Sequence, residues 1–154
     1  MKQTIFNSSS RDEVILRVKK LGSESRGKWG KLTAAQMIRH LAEACRMAFD
    51  EIEVKDRSNW FTRSIAKWLF LKNVKPPGRE KGNIKTLPEV DVVALQLPVA
   101  DIETERQNYF KMLERMSTTE TLSNHHPLFG KMSHADWGYL TYAHADYHLT
   151  QFNV

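Results

Sequence analysis

Six histidines are the side chains of this sequence best suited to chemistry near neutral pH. They are His40, His125, His126, His134, His144 and His148. His144 and His148 are four residues apart, so on a helix they share one face, with Cβ atoms about 5–6 Å apart. Two imidazoles at that spacing can reach one metal ion at about 2.0–2.1 Å. The spacing alone is weak evidence, because such a pair arises by chance in roughly one chain of this composition in five.

The residues around this pair predict an amphipathic helix from about His134 to Phe152, with Ser133 and Asp136 as its cap. One stripe of that helix carries Trp137, Leu140, His144, His148, Gln151 and Phe152, and the opposite face carries Tyr139, Asp146 and Thr150. Both imidazoles are therefore expected to point into the core, where an unpaired polar group costs about 1–3 kcal/mol. Buried hydrogen-bond partners, water or a metal ion could each satisfy them.

His40 is the natural third ligand. It lies on a second predicted helix at the edge of the apolar stripe, although a half-exposed surface histidine would fit this position as well. His134 is a poor alternative because it precedes His144 by ten residues, a rise of about 15 Å along a helix. His125 and His126 fall in the loop before the last helix, and the sequence assigns them no role.

The remaining elements predict an all-α fold. Helices are expected from about Arg11 to Leu21 (capping box Ser10 and Glu13), Ala34 to Ile52 (capping box Thr33 and Gln36), Trp60 to Leu71, and Asp101 to Met116. No strand of convincing alternation is present, and Val90 to Leu97 is the nearest approach to one. We therefore expect residues 1–154 to form a single four-helix-bundle domain. A short extra helix and a long loop separate its second and third long helices.

Composition limits the classes of function. The longest apolar clusters are far shorter than the roughly 20 residues that span a bilayer, so no membrane span is expected. The single cysteine, Cys45, predicts a reducing, cytoplasmic setting and a buried core thiol. Residues 57–85 contain eight basic residues and one acid, interleaved with Trp60, Phe61, Trp68 and Phe70. Without a nucleic-acid motif, this segment favours a solvated amphipathic helix and a basic loop over a nucleic-acid or membrane contact.

Two groups of motifs carry a resemblance to a known superfamily. Near the start these are Trp29-Gly30-Lys31-Leu32-Thr33 and Met37-Ile38-Arg39-His40-Leu41; near the end they are His126-Pro127-Leu128-Phe129-Gly130, Trp137, and residues 144–152, HADYHLTQF. In order and spacing, the chain resembles the DinB-like superfamily of metal-binding four-helix bundles, and within it a domain-of-unknown-function branch. The resemblance is weakest over residues 53–90. It implies a three-histidine metal site at His40, His144 and His148.

The same resemblance bears on Tyr147 and Asp146, two residues that lie between the ligand histidines of the last helix. The branch often has a histidine where this chain has Tyr147, which is not one of the three ligand positions. Asp146 matches the pattern, but it projects away from the site on the helical wheel. A structural salt bridge therefore suits Asp146 better than a role at the metal.

Three protein ligands would leave a coordination position open, as in catalytic metal sites. Imidazole ligands suit zinc, nickel, iron or cobalt. The resemblance implies a metal-dependent enzyme acting on a small molecule, either a transferase that uses a low-molecular-weight thiol or a metallohydrolase. Glu43, one turn after His40, is a candidate base or supporting group, although a solvated helix carboxylate fits it too. The rival hypothesis is a non-catalytic binding domain in which the metal joins the helices. In that case residues 57–85 would contact a partner or a second copy, and a homodimer is possible.

Overall fold

The computed structural model describes residues 3–71 and 86–154. Its elements, in chain order, are α1 (Ser8–Lys19), α2 (Ala34–Met47), a π-helical turn (Thr62–Ala66), α3 (Lys67–Leu71), a 3-10 helix (Pro88–Val90), α4 (Ile102–Thr118), β1 (His125–His126), β2 (Gly130–Lys131) and α5 (His134–Gln151). None of the helices in these two ranges is long and apolar enough to cross a bilayer. Residues 72–85, which include half of the basic segment and much of the predicted loop, lie outside the described residues.

The four long helices bury one continuous apolar core, which confirms the predicted all-α bundle. α2 packs against α4 and α5, and α1 packs against the same two helices. Each long helix contributes fully or almost fully buried side chains: Val14 and Val18 from α1, Met37 and Leu41 from α2, Tyr109 and Leu113 from α4, and Trp137 and Leu149 from α5. Burying an apolar side chain of this size stabilises the fold by about 1.5–3 kcal/mol. This core fixes α2 and α5 side by side.

Cys45 lies in that core, as predicted. Its residue is 2% exposed, and desolvation raises the pKa of its thiol to about 12. Asp146 also behaves as predicted, because its carboxylate lies 2.9 Å from the guanidinium of Arg17 and so ties α5 to α1.

Side-chain caps fix the starts of α2, α4 and α5. The predicted capping box of Thr33 and Gln36 is present at α2, and that of Ser133 and Asp136 is present at α5. At α4, the Asp101 side chain accepts hydrogen bonds from the backbone N–H groups of Glu103 and Thr104. Each such cap satisfies backbone donors that the helix leaves open, which contributes about 1 kcal/mol.

The predicted start of α1 is wrong by three residues. The helix begins at Ser8 after Asn7, so Ser10 lies inside it and forms no capping box with Glu13. The start is set by tertiary contacts, because Ile5 is completely buried and its backbone N–H donates to the carbonyl of Gly138 on α5, 3.1 Å away. Glu13 instead accepts a hydrogen bond from the hydroxyl of Tyr142, at 3.0 Å.

α2 also ends earlier than predicted, at Met47 rather than Ile52. The chain turns just beyond it, where Asp50 has a φ of 56°. The carbonyl of Ala48, which a longer helix would use internally, accepts from the backbone N–H of Ser123, at 2.8 Å. A contact with the segment before β1 therefore replaces the last predicted turn of α2.

The region between α2 and α5 combines one confirmed element with one that the sequence did not predict. The short helix predicted over residues 60–71 is present, although Thr62–Ala66 forms a π-helical turn. Residues 90–97 form no strand, as expected. A two-residue hairpin was missed: His125 pairs with Lys131 and His126 with Gly130. Gly130 has a φ of 63°, which suits a glycine in this tight turn.

Candidate metal centre

The packing of α2 against α5 brings His40, His144 and His148 together. His144 and His148 are one turn apart on α5, and His40 faces them from α2. His40 and His148 are 3% and 7% exposed, and His144 is partly buried. One ligand atom from each of the three side chains lies within 4.8 Å of the other two. The structure thus assembles the three residues that the sequence grouped.

The three rings meet through the same ring nitrogen. The Nε2 atom of His144 lies 3.0 Å from Nε2 of His40 and 3.2 Å from Nε2 of His148. The rings stand edge to face, with centroids 4.9–5.0 Å apart. All three Nε2 atoms therefore point into one small space.

The opposite nitrogen of each flanking ring faces a hydrogen-bond acceptor. Nδ1 of His40 lies 2.8 Å from the carbonyl oxygen of Val90, in the 3-10 helix. Because a carbonyl can only accept, Nδ1 of His40 must carry the proton and Nε2 must be left with its lone pair. Nδ1 of His148 lies 2.9 Å from Oε1 of Gln151. The backing of a ligand histidine by an acceptor on its far nitrogen is the usual arrangement at protein metal sites.

Burial keeps the rings of His40 and His144 in the form that binds metal. Desolvation lowers the pKa of His40, although its hydrogen bond to Val90 acts in the opposite direction. Desolvation also lowers the pKa of His144, well below its usual value, and the neighbouring rings of His148 and His40 lower it further. Neutral imidazole is the form that donates a lone pair to a metal ion.

The cluster fits a cation better than it fits a network of hydrogen bonds. A single proton on Nε2 of His144 can be directed well at one neighbouring Nε2 atom, but not at both at once. An ion bound by all three nitrogens would satisfy every lone pair at once. His40, His144 and His148 could therefore bind a metal ion.

Glu43 is buried rather than solvated, which corrects one of its two predicted environments. It is 5% exposed, and its Oε1 atom lies 2.8 Å from Nε of Arg39 and 3.4 Å from Nη1 of Arg46. Among the described residues, no hydrogen bond joins it to the three histidines. Its charge acts on His40 only through space, as one of the smaller influences that raise the pKa of that ring.

The other three histidines have structural partners elsewhere. His134 is exposed, donates from Nε2 to the carbonyl oxygen of Thr119 at 2.9 Å, and stacks on Phe6. Since that acceptor is a carbonyl, Nε2 of His134 carries the proton. His125 lies 3.5 Å from the carboxylate of Asp56. As predicted for His134, none of these rings joins the cluster.

His126 has a defined role that the sequence did not reveal. Its ring is buried, and Nδ1 accepts hydrogen bonds from the backbone N–H groups of Leu128 and Phe129, at 3.1 and 3.3 Å. Burial lowers the pKa of His126 to about 4, with smaller contributions from His125 and Lys67. His126 therefore caps the turn of the hairpin in its neutral form.

Sequence reasoning also missed the groups that back the ligands. Gln151 was placed on the histidine stripe, and its position three residues after His148 was the available signal for a contact between them. Val90 carried no signal, because its contribution is a backbone carbonyl, which every residue possesses.

Comparison with curated proteins found no significant match, and comparison with solved structures found none either. A family model described as "Protein of unknown function (DUF1569)" matches residues 3–154. Because that match spans nearly the whole sequence, including both helices that carry the three histidines, the chain belongs to the DUF1569 family of proteins of unknown function.

Proposed function

We propose that the protein is a divalent-metal-dependent enzyme with an open site formed by His40, His144 and His148. The observation that carries the proposal is the convergence of the three Nε2 atoms, with neighbouring pairs 3.0 and 3.2 Å apart. Among the residues that the structure describes, no fourth His, Cys, Asp or Glu side chain joins this group. Structural zinc sites are usually closed by four protein ligands, whereas catalytic sites keep a position for substrate or water.

A divalent ion in this site, whether zinc, nickel, iron or cobalt, would act as a Lewis acid that lowers the pKa of a thiol or a water at neutral pH. The protein's own groups hold the site in shape. The backbone carbonyl of Val90 and the side chain of Gln151 fix the ring orientations of His40 and His148. Glu43, whose Oε1 is engaged by Arg39 and Arg46, is proposed to contribute charge near His40 rather than to accept a proton.

The proposed reaction follows the resemblance to the DinB-like superfamily, of which we propose that this family is a branch. The reaction would be either the transfer of a low-molecular-weight thiol to a small electrophilic substrate or a hydrolysis. We also propose that residues 1–154 are a single domain and that the protein works in the cytoplasm, where the lone thiol of Cys45 would remain reduced.

The second candidate is a binding domain in which the metal only stabilises the bundle. It is favoured by the exposure of large apolar side chains on the segment of residues 60–71, where Trp60 is 76% and Phe61 53% exposed. Exposed aromatic clusters often mark contacts with partners, so a homodimer or another partner belongs to this candidate.

The accessibility of the metal separates the two candidates. Untagged protein should bind about one divalent ion per chain, and cobalt should replace it and report its ligands through visible absorption. Adding a small thiol to the cobalt protein should produce a sulfur-to-metal band that saturates with concentration, and azide should perturb the spectrum as well. His148→Ala, tested in parallel, should give neither response.

Two results would count against the enzyme. Failure to take up any transition metal would remove the basis of both candidates. A cobalt spectrum that is unchanged by thiols, azide and cyanide would identify a closed site, and the binding-domain candidate would then replace the enzyme.

A further inference from the structure

Gln151 connects one of the three histidines to a loop that lies outside the helices. Its Oε1 atom faces Nδ1 of His148 at 2.9 Å, and its Nε2 atom donates to the backbone carbonyl of Trp29 at 2.5 Å. Gln151 is 5% exposed, so both ends of its amide are used within the protein. A short relay therefore runs from Trp29 through Gln151 to His148.

The chemistry of its first member sets the direction of this relay. The carbonyl of Trp29 can only accept a hydrogen bond, so the amide NH₂ of Gln151 must face it and Oε1 must face His148. Since Oε1 can only accept, Nδ1 of His148 must be the protonated nitrogen. Nε2 of His148 is then left with its lone pair, directed at Nε2 of His144, 3.2 Å away.

The loop of residues 27–30 is shaped to hold the Gln151 side chain. The backbone N–H of Lys28 donates to the backbone carbonyl of Gln151 at 2.8 Å. A Cβ atom at Gly30 would lie 2.5 Å from Nε2 of Gln151, and one at Gly27 would lie 3.2 Å from its Cγ. Gly30 also has a φ of 81°, which disfavours other residues. Side chains at these two positions would push the amide out of the relay.

We propose that Gln151 is a positioning residue for the metal site. Through its contact with Trp29, it holds His148 in the tautomer whose Nε2 can bind the ion. The proposal rests on the metal-binding part of the proposed function, and it adds that the loop of residues 27–30 acts on the metal through Gln151. A purely structural reading would have Gln151 attach the loop to α5 without consequence for His148.

The two readings differ in the protonation of His148 before any metal is present. In metal-free protein, ¹⁵N spectra of the histidine rings distinguish a proton on Nδ1 from one on Nε2, and His148→Gln identifies the signal. The native protein should show His148 protonated on Nδ1. Gln151→Leu, which lacks both the acceptor and the donor, should show a substantial population protonated on Nε2.

Metal affinity, measured by competition with a chromophoric chelator, should fall by about 10–100-fold in Gln151→Leu, the usual effect of losing a partner behind a ligand histidine. Gln151→Glu keeps an acceptor for His148 but loses the donor to Trp29, so it should retain the Nδ1 tautomer while its affinity falls by less than that of Gln151→Leu. Tyr147→Phe is the matched control. It removes a hydroxyl that lies 3.3 Å from Nε1 of Trp29 and leaves the relay intact, so its affinity should be native.

Gly30→Ala provides a second variant in case Gln151→Leu fails to fold, and it should change the tautomer and the affinity in the same direction. The proposal is overturned if His148 remains protonated on Nδ1 in the folded variant, or if the affinity is unchanged while only the melting temperature falls. If the native protein binds no metal, the proposed function fails. The tautomer measurement still tests Gln151 in that case, because it is made on metal-free protein.

Discussion

The three-histidine cluster and the helical segment of residues 60–71 place side chains opposite to their usual locations. At the cluster, polar rings lie inside the bundle, and His40 is only 3% exposed. On the segment, large apolar side chains face outward, and Trp60 is 76% exposed. Buried polar groups and exposed apolar groups are the informative exceptions in a folded protein. Both regions therefore call for an explanation other than the stability of the isolated chain.

The two regions differ in how closely their surroundings hold them. In the cluster, each flanking ring is fixed by a specific acceptor, Val90 for His40 and Gln151 for His148. On the segment, Trp60 and Phe61 lie on a short helix that contains a π-helical turn, and none of the residues of that turn is buried. Sites that act on small ligands need rigid, pre-positioned groups, whereas a minority of surfaces that contact a partner gain order on binding. This contrast favours the binding of a small ligand such as a metal ion at the cluster, and contact with a partner on the segment.

The largest expected effect is the loss of metal binding when a ligand histidine is removed. A four-ligand structural zinc site binds its ion with roughly 10–16 kcal/mol, so one ligand contributes about 2.5–4 kcal/mol, or a factor of roughly 100–1000 in affinity. His40→Ala, His144→Ala and His148→Ala should each weaken binding by this order in a chelator competition.

His134→Ala is the control for those variants. It removes an imidazole from the start of the same helix, and that imidazole contacts Thr119 and Phe6 rather than the cluster. Its metal affinity should equal that of the native protein. A loss as large as that of His148→Ala would mean that the ligand set is wrong.

Periodicity and caps in the sequence were sufficient to predict most of the bundle. The histidine helix and the start of α2 follow from apolar spacing and from capping boxes that depend on residues three apart, so local sequence contains the information. The start of α1 could not be predicted in this way, because the burial of Ile5 and its hydrogen bond to Gly138 on α5 decide where that helix begins. Contacts between residues distant in the chain leave no local pattern.

The candidate site, too, has parts that the local sequence predicts and parts that depend on distant contacts. The grouping of His144 with His148 follows from their spacing, and His40 was added from its place on the second helix and from the resemblance. The backing carbonyl of Val90 depends on how the segment after residue 85 folds onto α2, which no motif indicates. His126 was left without a role because its contacts are to backbone N–H groups of a hairpin that is only two residues long on each side.

A smaller effect, on the free energy of unfolding, is expected from the protonation of His126. Unlike the rings of the cluster, this buried histidine has a structural role. Its pKa is about 4 in the folded protein and about 6.5 in an unfolded chain. As the pH falls from 6.5 to 4, the unfolded chain takes up a proton that the folded protein does not. The lowered pKa therefore contributes stability that is present above pH 6.5 and lost as the pH falls towards 4, by up to about 3 kcal/mol.

His126→Asn tests this without removing the cap, because an asparagine oxygen can accept from the same two backbone N–H groups. The variant loses the stacking of His126 on Phe129, so it should be less stable at pH 7. Its free energy of unfolding, measured by urea denaturation of metal-free protein, should fall less steeply than that of the native protein between pH 6.5 and 4.5. Parallel pH profiles would show that His126 does not titrate differently in the folded and unfolded states.

The smallest effect is expected on the exposed segment, and it completes the comparison between the two regions. Trp60→Ala and Phe61→Ala remove apolar side chains that are 76% and 53% exposed, so each should change the free energy of unfolding by no more than about 0.5 kcal/mol. Trp137→Ala is the matched control within the chain. Trp137 is 2% exposed and donates to the carbonyl of Ser123, so its removal should cost about 3–5 kcal/mol. The measurement is urea denaturation at two protein concentrations tenfold apart.

Two results together would contradict this prediction. One is a strong destabilisation by Trp60→Ala. The other is a native unfolding midpoint that rises with protein concentration while the midpoint of the variant does not. Trp60 would then be buried between copies of the chain. The segment would then belong to the stable fold of a homodimer, and the contrast with the histidine cluster would no longer hold.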